Sequence, residues 1–186
     1  MPASRPHATH YHYSLPAFDN GHMPSREFGE SILSQKFVVV PSSVLVSKLN
    51  PETPRVWYVG DSVGDFAICS TEFLVLLPTR PTGAAYLYCL AMSQAFRAEL
   101  EGIVTGTSKS HQRAQPNAVM NLNVVKPDAG LLSTFDTIIE PMLLRCLRLQ
   151  AKSHTLASIR DTLLPKLISG ELSIASHLEG VNHGTH

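Results

Sequence analysis

The run Thr105–Asn117, TGTSKSHQRAQPN, gathers the side chains best suited to meeting flat, acceptor-rich groups. Arg113 carries a planar guanidinium fork that can donate two bonds to a guanine edge, and Gln112 can do the same for adenine. Lys109 suits a phosphate, a contact that positions a duplex without reading it. His111 could meet either group or order the loop, and loop ordering is the slightly favoured role. Ser108 and Ser110 complete the candidate set. Lys36, Lys48 and Arg55, from the first strands and turns, are secondary candidates for contacting DNA. Plainer roles stand beside these: a solvated surface charge for each lysine, and a structural loop–strand junction for Ser110–Arg113.

Catalytic chemistry is harder to place. Ser110 and His111 are adjacent, whereas a nucleophile and its base must meet through space with a third orienting group. The sequence has no GxxxxGK[ST] run for a nucleotide phosphate. It also lacks the carboxylate–lysine pattern of many metal-dependent nucleases and the Asn/Asp-Pro-Pro-aromatic motif of base methylation. Cys69, Cys89 and Cys146 show no CxxC spacing and read as small core residues in a reducing cytoplasm. His7, His10 and His12 could capture a stray metal ion, but a frayed terminus is the expected state of residues 1–22. The expectation is a non-enzyme with no cofactor and no structural metal.

Charge gives little guidance. Fifteen basic and fifteen acidic residues cancel, where a protein holding DNA by phosphate neutralisation alone would be basic. Between Arg80 and Lys126, however, five basic residues face two acidic ones, so one face can be basic while the whole is neutral. No stretch of about 18 apolar residues exists to span a membrane, and the first residues lack a signal-peptide core.

These side chains need a scaffold. Lys36–Asn50, KFVVVPSSVLVSKLN, reads as two Val-rich strands broken at Pro-Ser-Ser. Arg55–Val59 is a further strand, and Phe66–Leu77 supplies one or two more. Thr82–Glu101 reads as a helix stopped by Gly102, with Tyr86, Leu90 and Phe96 packing inward. Thr105–Asn117 is a surface loop, and Ala118–Val125 a last strand. Strands with a single helix make the class α+β.

The remainder has a different rhythm. Ser133-Thr134-Phe135-Asp136 has the form of a capping box with Ser133 as N-cap. From there Phe135, Ile139, Met142, Cys146, Leu149, Ser153, Leu156, Arg160, Leu163 and Leu167 alternate steps of four and three, and eight of the ten are apolar. This heptad seam predicts a helix over about 134–164, roughly 45 Å long. Pro141 should kink it, Pro165 should end or bend it, and Gly170 offers a second stop. Such a rod needs a partner helix, from another copy or another chain.

Two segments resemble the specificity subunits of type I restriction–modification enzymes. SHQR within Thr105–Pro127 is similar to the end of that family's target recognition domain. LASIRDTLLPKLISGEL, Leu156–Leu172, resembles the end of its conserved spacer helix. SQKF (Ser34–Phe37), SKLNP with PRVW (Ser47–Trp57) and STEF (Ser70–Phe73) add to the likeness. The resemblance implies a recognition domain at 1–130, a spacer and dimerisation helix at 131–172, and a flexible tail at 173–186. It also implies that the chain reads double-stranded DNA, docks methyltransferase and restriction subunits, and works in the cytoplasm without a membrane. Full-length members carry two recognition domains and two spacer helices. One of each implies a fragment or a natural half-subunit, which a homodimer through Phe135, Ile139, Met142, Cys146, Leu149, Leu156 and Leu163 would complete. Two-fold symmetry would then be mirrored in a gapped, inverted-repeat site. The alternative is a helical interaction module that dimerises with, or competes for, methyltransferase or specificity subunits and reads no DNA.

Overall fold

A computed structural model of the chain describes residues 2–61, 63–80, 82–105 and 112–172. Ser108, Lys109, Ser110 and His111, and the expected tail at 173–186, lie outside the described residues. The chain divides into two units, Met1–Leu147 and Arg148–His186.

The first unit is built on two sheets. Strands β1 (Thr9–Tyr13), β2 (Ser25–Phe28), β3 (Lys36–Val38) and β6 (Ile68–Ser70) form a four-stranded sheet in the order β2-β1-β6-β3. The β1–β6 pair is parallel and its flanking pairs are antiparallel. Strands β4 (Val44–Ser47), β5 (Val56–Tyr58) and β7 (Phe73–Leu76) form an antiparallel three-stranded sheet in the order β5-β4-β7. Strand β8 (Val104–Thr105) pairs antiparallel with β9 (Arg113–Ala114).

The alternation along β4 explains the layering. Successive strand residues point to opposite faces, yet every residue of β4 is buried, so both faces of this sheet are covered. Val44 and Val46, with Val56 and Tyr58 of β5, face one core. There they meet Ala84 and Ala91 of α2 (Ala84–Met92), Phe96 and Leu100 of α3 (Gln94–Gly102), and Leu143, Leu144 and Leu147 of the last helix. Leu45, Trp57 and Phe73 face a second core with Val39 and Cys69. Tyr13 and Phe18 turn their ring edges to Trp57 at centroid distances of 5.0 and 5.2 Å. A one-residue slip of β4 would exchange the two cores.

Four sequence expectations need correction. The described part of 1–22 is not a frayed terminus: β1 is an inner strand, and Ser14 caps a short helix, α1 (Leu15–Asp19), through its Oγ on the Ala17 N–H. The compositional cue of a tail misled because His10 and His12 are buried polar residues. The helix expected over Thr82–Glu101 is two, broken at Ser93, whose extended backbone ends α2 and whose Oγ accepts the Phe96 N–H to start α3. A residue with capping chemistry inside an apolar run won over the run's helical propensity. The strand expected at Ala118–Val125 is instead α4 (Pro116–Met120) followed by irregular chain. Pro116 at the first turn is pre-set for a helix start.

The fourth concerns the long helix. This helix, α5, spans Ala129–Ile168, 40 residues, or about 60 Å, and continues through Pro141 and Pro165. Its N-cap is Asp128, whose Oδ1 accepts the Leu131 N–H at 3.0 Å, so Ser133 lies inside α5. Asp136, the other half of the expected capping box, serves a different helix. Its carboxylate accepts the N–H groups of Gly83 (2.8 Å) and Tyr86 (3.0 Å), capping α2 from across the core. A Cβ at Gly83 would sit 2.2 Å from Asp136 Oδ2, so the close approach needs glycine there. At the far end Gly170, at φ +76°, donates to the Leu167 carbonyl and stops the helix.

Candidate nucleic-acid interface

The segment that leaves β4, Lys48–Asn50, is the backbone spine of the site. On one side the Lys48 N–H donates to the Glu72 carbonyl at 2.8 Å, and on the other the Lys48 carbonyl accepts the Ala114 N–H at 2.9 Å. The Asn50 N–H reaches the Gln112 carbonyl at 3.0 Å, and Leu49 bridges Arg113 in antiparallel fashion. Backbone pairing thus brings Lys48, Gln112 and Arg113 of the sequence candidates together. It also sets them beside the β6–β7 turn, where the Glu72 N–H donates to Ser70 Oγ.

On this platform Arg113 makes a two-pronged ion pair. Its Nε donates to Glu72 Oε2 at 3.0 Å and its Nη2 to Glu72 Oε1 at 2.9 Å. The Arg113 side chain remains 50% exposed and that of Glu72 27%. Asn50 adopts φ +47°, and its Oδ1 is buried without a partner among the described residues. Lys48 lines a groove of about 420 Å³ with Phe37, Val38, Phe73, Leu74, Val75 and Pro116.

Of the remaining described candidates, Lys36 pairs with Ser70 across β3 and β6, and Arg55 makes an ion pair of its own. Arg55 is held by Asp19 in a similar fork, Nε to Oδ1 at 2.7 Å and Nη2 to Oδ2 at 3.0 Å. That fork holds the Asp19 carboxyl below its ordinary range. Lys36 donates to Ser34 Oγ and lines a different cavity, of about 550 Å³, with Arg5, His10 and Phe66.

Two buried groups bear on chemistry. His12 Nδ1 meets Glu27 Oε1 at 3.0 Å, and Ser25 Oγ donates to the same oxygen at 2.6 Å. Burial pushes the His12 imidazole below its ordinary range despite the carboxylate beside it. His12 Nε2 has no partner among the described residues, so the trio is not completed into a relay. Burial also pushes the Cys69 thiol up to about 12, which makes it a poor nucleophile. Among the described residues no group of three His, Cys, Asp or Glu side chains could hold a metal. No described helix is long and apolar enough to cross a membrane.

The seam residues of α5 divide by position. Phe135 and Ile139 are half-buried in the first unit, Phe135 edge-on to Tyr86 at 6.0 Å. Met142 (59% exposed) and Cys146 face solvent there, so Cys146 is no core residue of this chain. Leu149 (54%), Leu156 (66%) and Leu163 (40%), in the second unit, are also exposed.

Sequence reasoning missed Glu72, Asn50 and Asp19. Glu72 alone had a signal, as the acidic member of STEF, where Ser70 and Glu72 have the local pairing of a tight turn. The carboxylate partners of Arg55 and Arg113 lie 36 and 41 residues away, beyond any local pattern.

A domain built on two sheets and followed by one long helix is the fold this α+β chain shares with solved type I R-M specificity-subunit structures. The HsdS subunit from Thermoanaerobacter tengcongensis superposes with a TM-score of 0.60 at 20% identity, covering 100% of this chain and 46% of that one. A chain from a structure describing complex assembly and conformational transition of the type I R-M system gives 0.58 at 22% identity, covering 87% of this chain and 44% of that one. The chain therefore spans less than half the length of the solved chains it matches. No family model matches it, and no curated protein does.

Proposed function

We propose that this chain is a non-catalytic DNA-specificity half-subunit of a type I restriction–modification system. It reads one half of a bipartite, gapped site and docks the methyltransferase and endonuclease subunits that supply the chemistry. The observation that carries this reading is the fold likeness: one domain and one long helix match less than half of an HsdS subunit. The missing half is supplied by a second copy, paired through the exposed seam of α5 as a homodimer and a coiled coil. Lys48, Gln112 and Arg113 contribute to the reading face, with Ser108, Lys109, Ser110 and His111 beside them in sequence. The domain limits 1–130 and 131–172 follow from the same reading.

The test is a competition assay with purified chain, alone and with its methyltransferase partner. Labelled duplexes from a randomised pool should be displaced far better by selected sequences than by bulk DNA. Equal displacement by any duplex would remove the specificity claim. A second reading, an interaction module that reads no DNA, is favoured by two observations. Arg55 and Arg113 are each already paired with a carboxylate, and the chain carries no net charge. On that reading the partner complex forms while DNA affinity stays unchanged.

A further inference from the structure

Among the described residues the Arg113 guanidinium is paired with Glu72, through two of its donors. A guanidinium has five N–H donors in a rigid fork. Glu72 takes the Nε hydrogen and one on Nη2, which leaves three donors, two of them side by side on the Nη1–Nη2 edge. That edge has the spacing to meet the O6 and N7 acceptors of a guanine. The 50% exposure of the Arg113 side chain leaves it room.

We propose that Glu72 is a positioning residue that determines specificity, pinning one edge of Arg113 so that the other is presented to guanine. The inference rests on the DNA-reading function proposed above. Glu72 is fitted for the task because it is itself fixed. Its N–H is tied to Ser70 Oγ, its carbonyl to the Lys48 N–H, and its carboxylate is largely covered. Arg113 is fixed at its backbone by the Leu49 bridge and the β8 pairing. Two anchored ends hold the guanidinium plane before DNA arrives, so its ordering cost is met on folding and not on binding. The carboxylate has a second effect. It offsets the charge of Arg113 toward phosphate, which every sequence offers, and leaves intact the directional bonds that only guanine satisfies. Without Glu72, Arg113 becomes a mobile cation that binds any duplex. A structural tie between β9 and the β6–β7 turn is the competing role.

The experiment starts by selecting duplexes from a randomised pool with the full-length wild-type chain. Binding of the selected duplex is then compared for wild type, Arg113→Ala, Glu72→Ala and Glu72→Gln. Each is measured with natural DNA and with 7-deazaguanine replacing the guanine whose preference Arg113→Ala abolishes. Wild type should lose about tenfold in affinity on that replacement. Glu72→Ala should lose less than about twofold, bind unrelated duplex more tightly, and show a salt slope steeper by about one. Glu72→Gln, which keeps one acceptor, should fall between. An unchanged 7-deazaguanine penalty in Glu72→Ala overturns the proposal. So does a uniform loss over all base pairs that tracks a lowered melting temperature, or an Arg113→Ala variant with every preference intact. If Glu72→Ala does not fold, the Gln variant carries the same comparison. A wild-type chain that selects no sequence overturns the DNA-reading function itself, and this inference with it.

Discussion

Helix α5 is treated differently along its length. In the first unit Leu132 is fully buried, Leu143, Leu144 and Leu147 pack on the core, and Asp136 caps another helix. Beyond Leu147 the apolar positions Leu149, Leu156, Ile159, Leu163, Leu164, Leu167 and Ile168 are all exposed. The same residue type recurs at similar spacing in both stretches. What differs is whether the chain itself supplies the surface that covers it. In the near stretch, removing an apolar side chain opens a hole. In the far stretch it should cost the folded protomer little and cost an assembly much.

The largest contrast expected is between two leucine truncations. Leu132→Ala should lower unfolding free energy by about 2–5 kcal/mol in urea titrations, through lost burial and a residual cavity. Leu156→Ala, 66% exposed, should stay within about 0.5 kcal/mol at concentrations where the protein is monomeric. Equal effects would erase the distinction between the two stretches. Next in size is association. The triple change Leu149→Glu, Leu156→Glu and Leu163→Glu should weaken self-association about a hundredfold or more in sedimentation experiments, since it buries charges in the seam. Monomer melting should be unaffected.

A smaller effect is expected at Asp136. The Ala variant removes the cap of α2 and should cost about 1–2 kcal/mol, whereas Asn, which keeps one acceptor, should cost less. A Gly83→Ala change should also destabilise, because the new Cβ crowds the same carboxylate. The smallest effect concerns pH. The His12 imidazole is depressed by burial from an ordinary 6.5, so the unfolded chain binds its proton first as pH falls. Stability from this site is therefore complete above about pH 6.5 and is lost progressively below it, toward the depressed folded value. Glu27, also lowered, acts in the same direction at more acid pH. A His12→Gln variant should show a shallower fall in melting temperature between about pH 7 and pH 5.5 than the wild type. A steeper fall would reverse the sign assigned to His12.

The sequence made legible whatever was written in local patterns. The break in Lys36–Asn50, the strand at Arg55–Val59, the two strands within Phe66–Leu77 and the heptad pattern of α5 are all period or turn signals. Gly170 was legible as a stop because a left-handed residue is needed where the helix ends. The errors arose where tertiary context decided. The Ser-x-x-Asp box at 133–136 had the right chemistry, but Asp136 caps α2, whose Gly83 lies 53 residues away. His10 and His12 suggested an exposed tail, but both are buried in β1. For the site, Arg113 and Gln112 were visible as residue types. The carboxylate that aims Arg113 was not, because nothing local ties Glu72 to it.

On the function proposed above, two copies joined by the bare stretch of α5 present two reading faces related by a two-fold axis. The most direct test is to sequence the duplexes that the purified chain retains from a randomised pool. The expected result is an inverted repeat of two identical half-sites across a gap of fixed length, lost in the triple seam variant. A direct repeat, an uninterrupted motif, or no enriched sequence would contradict it.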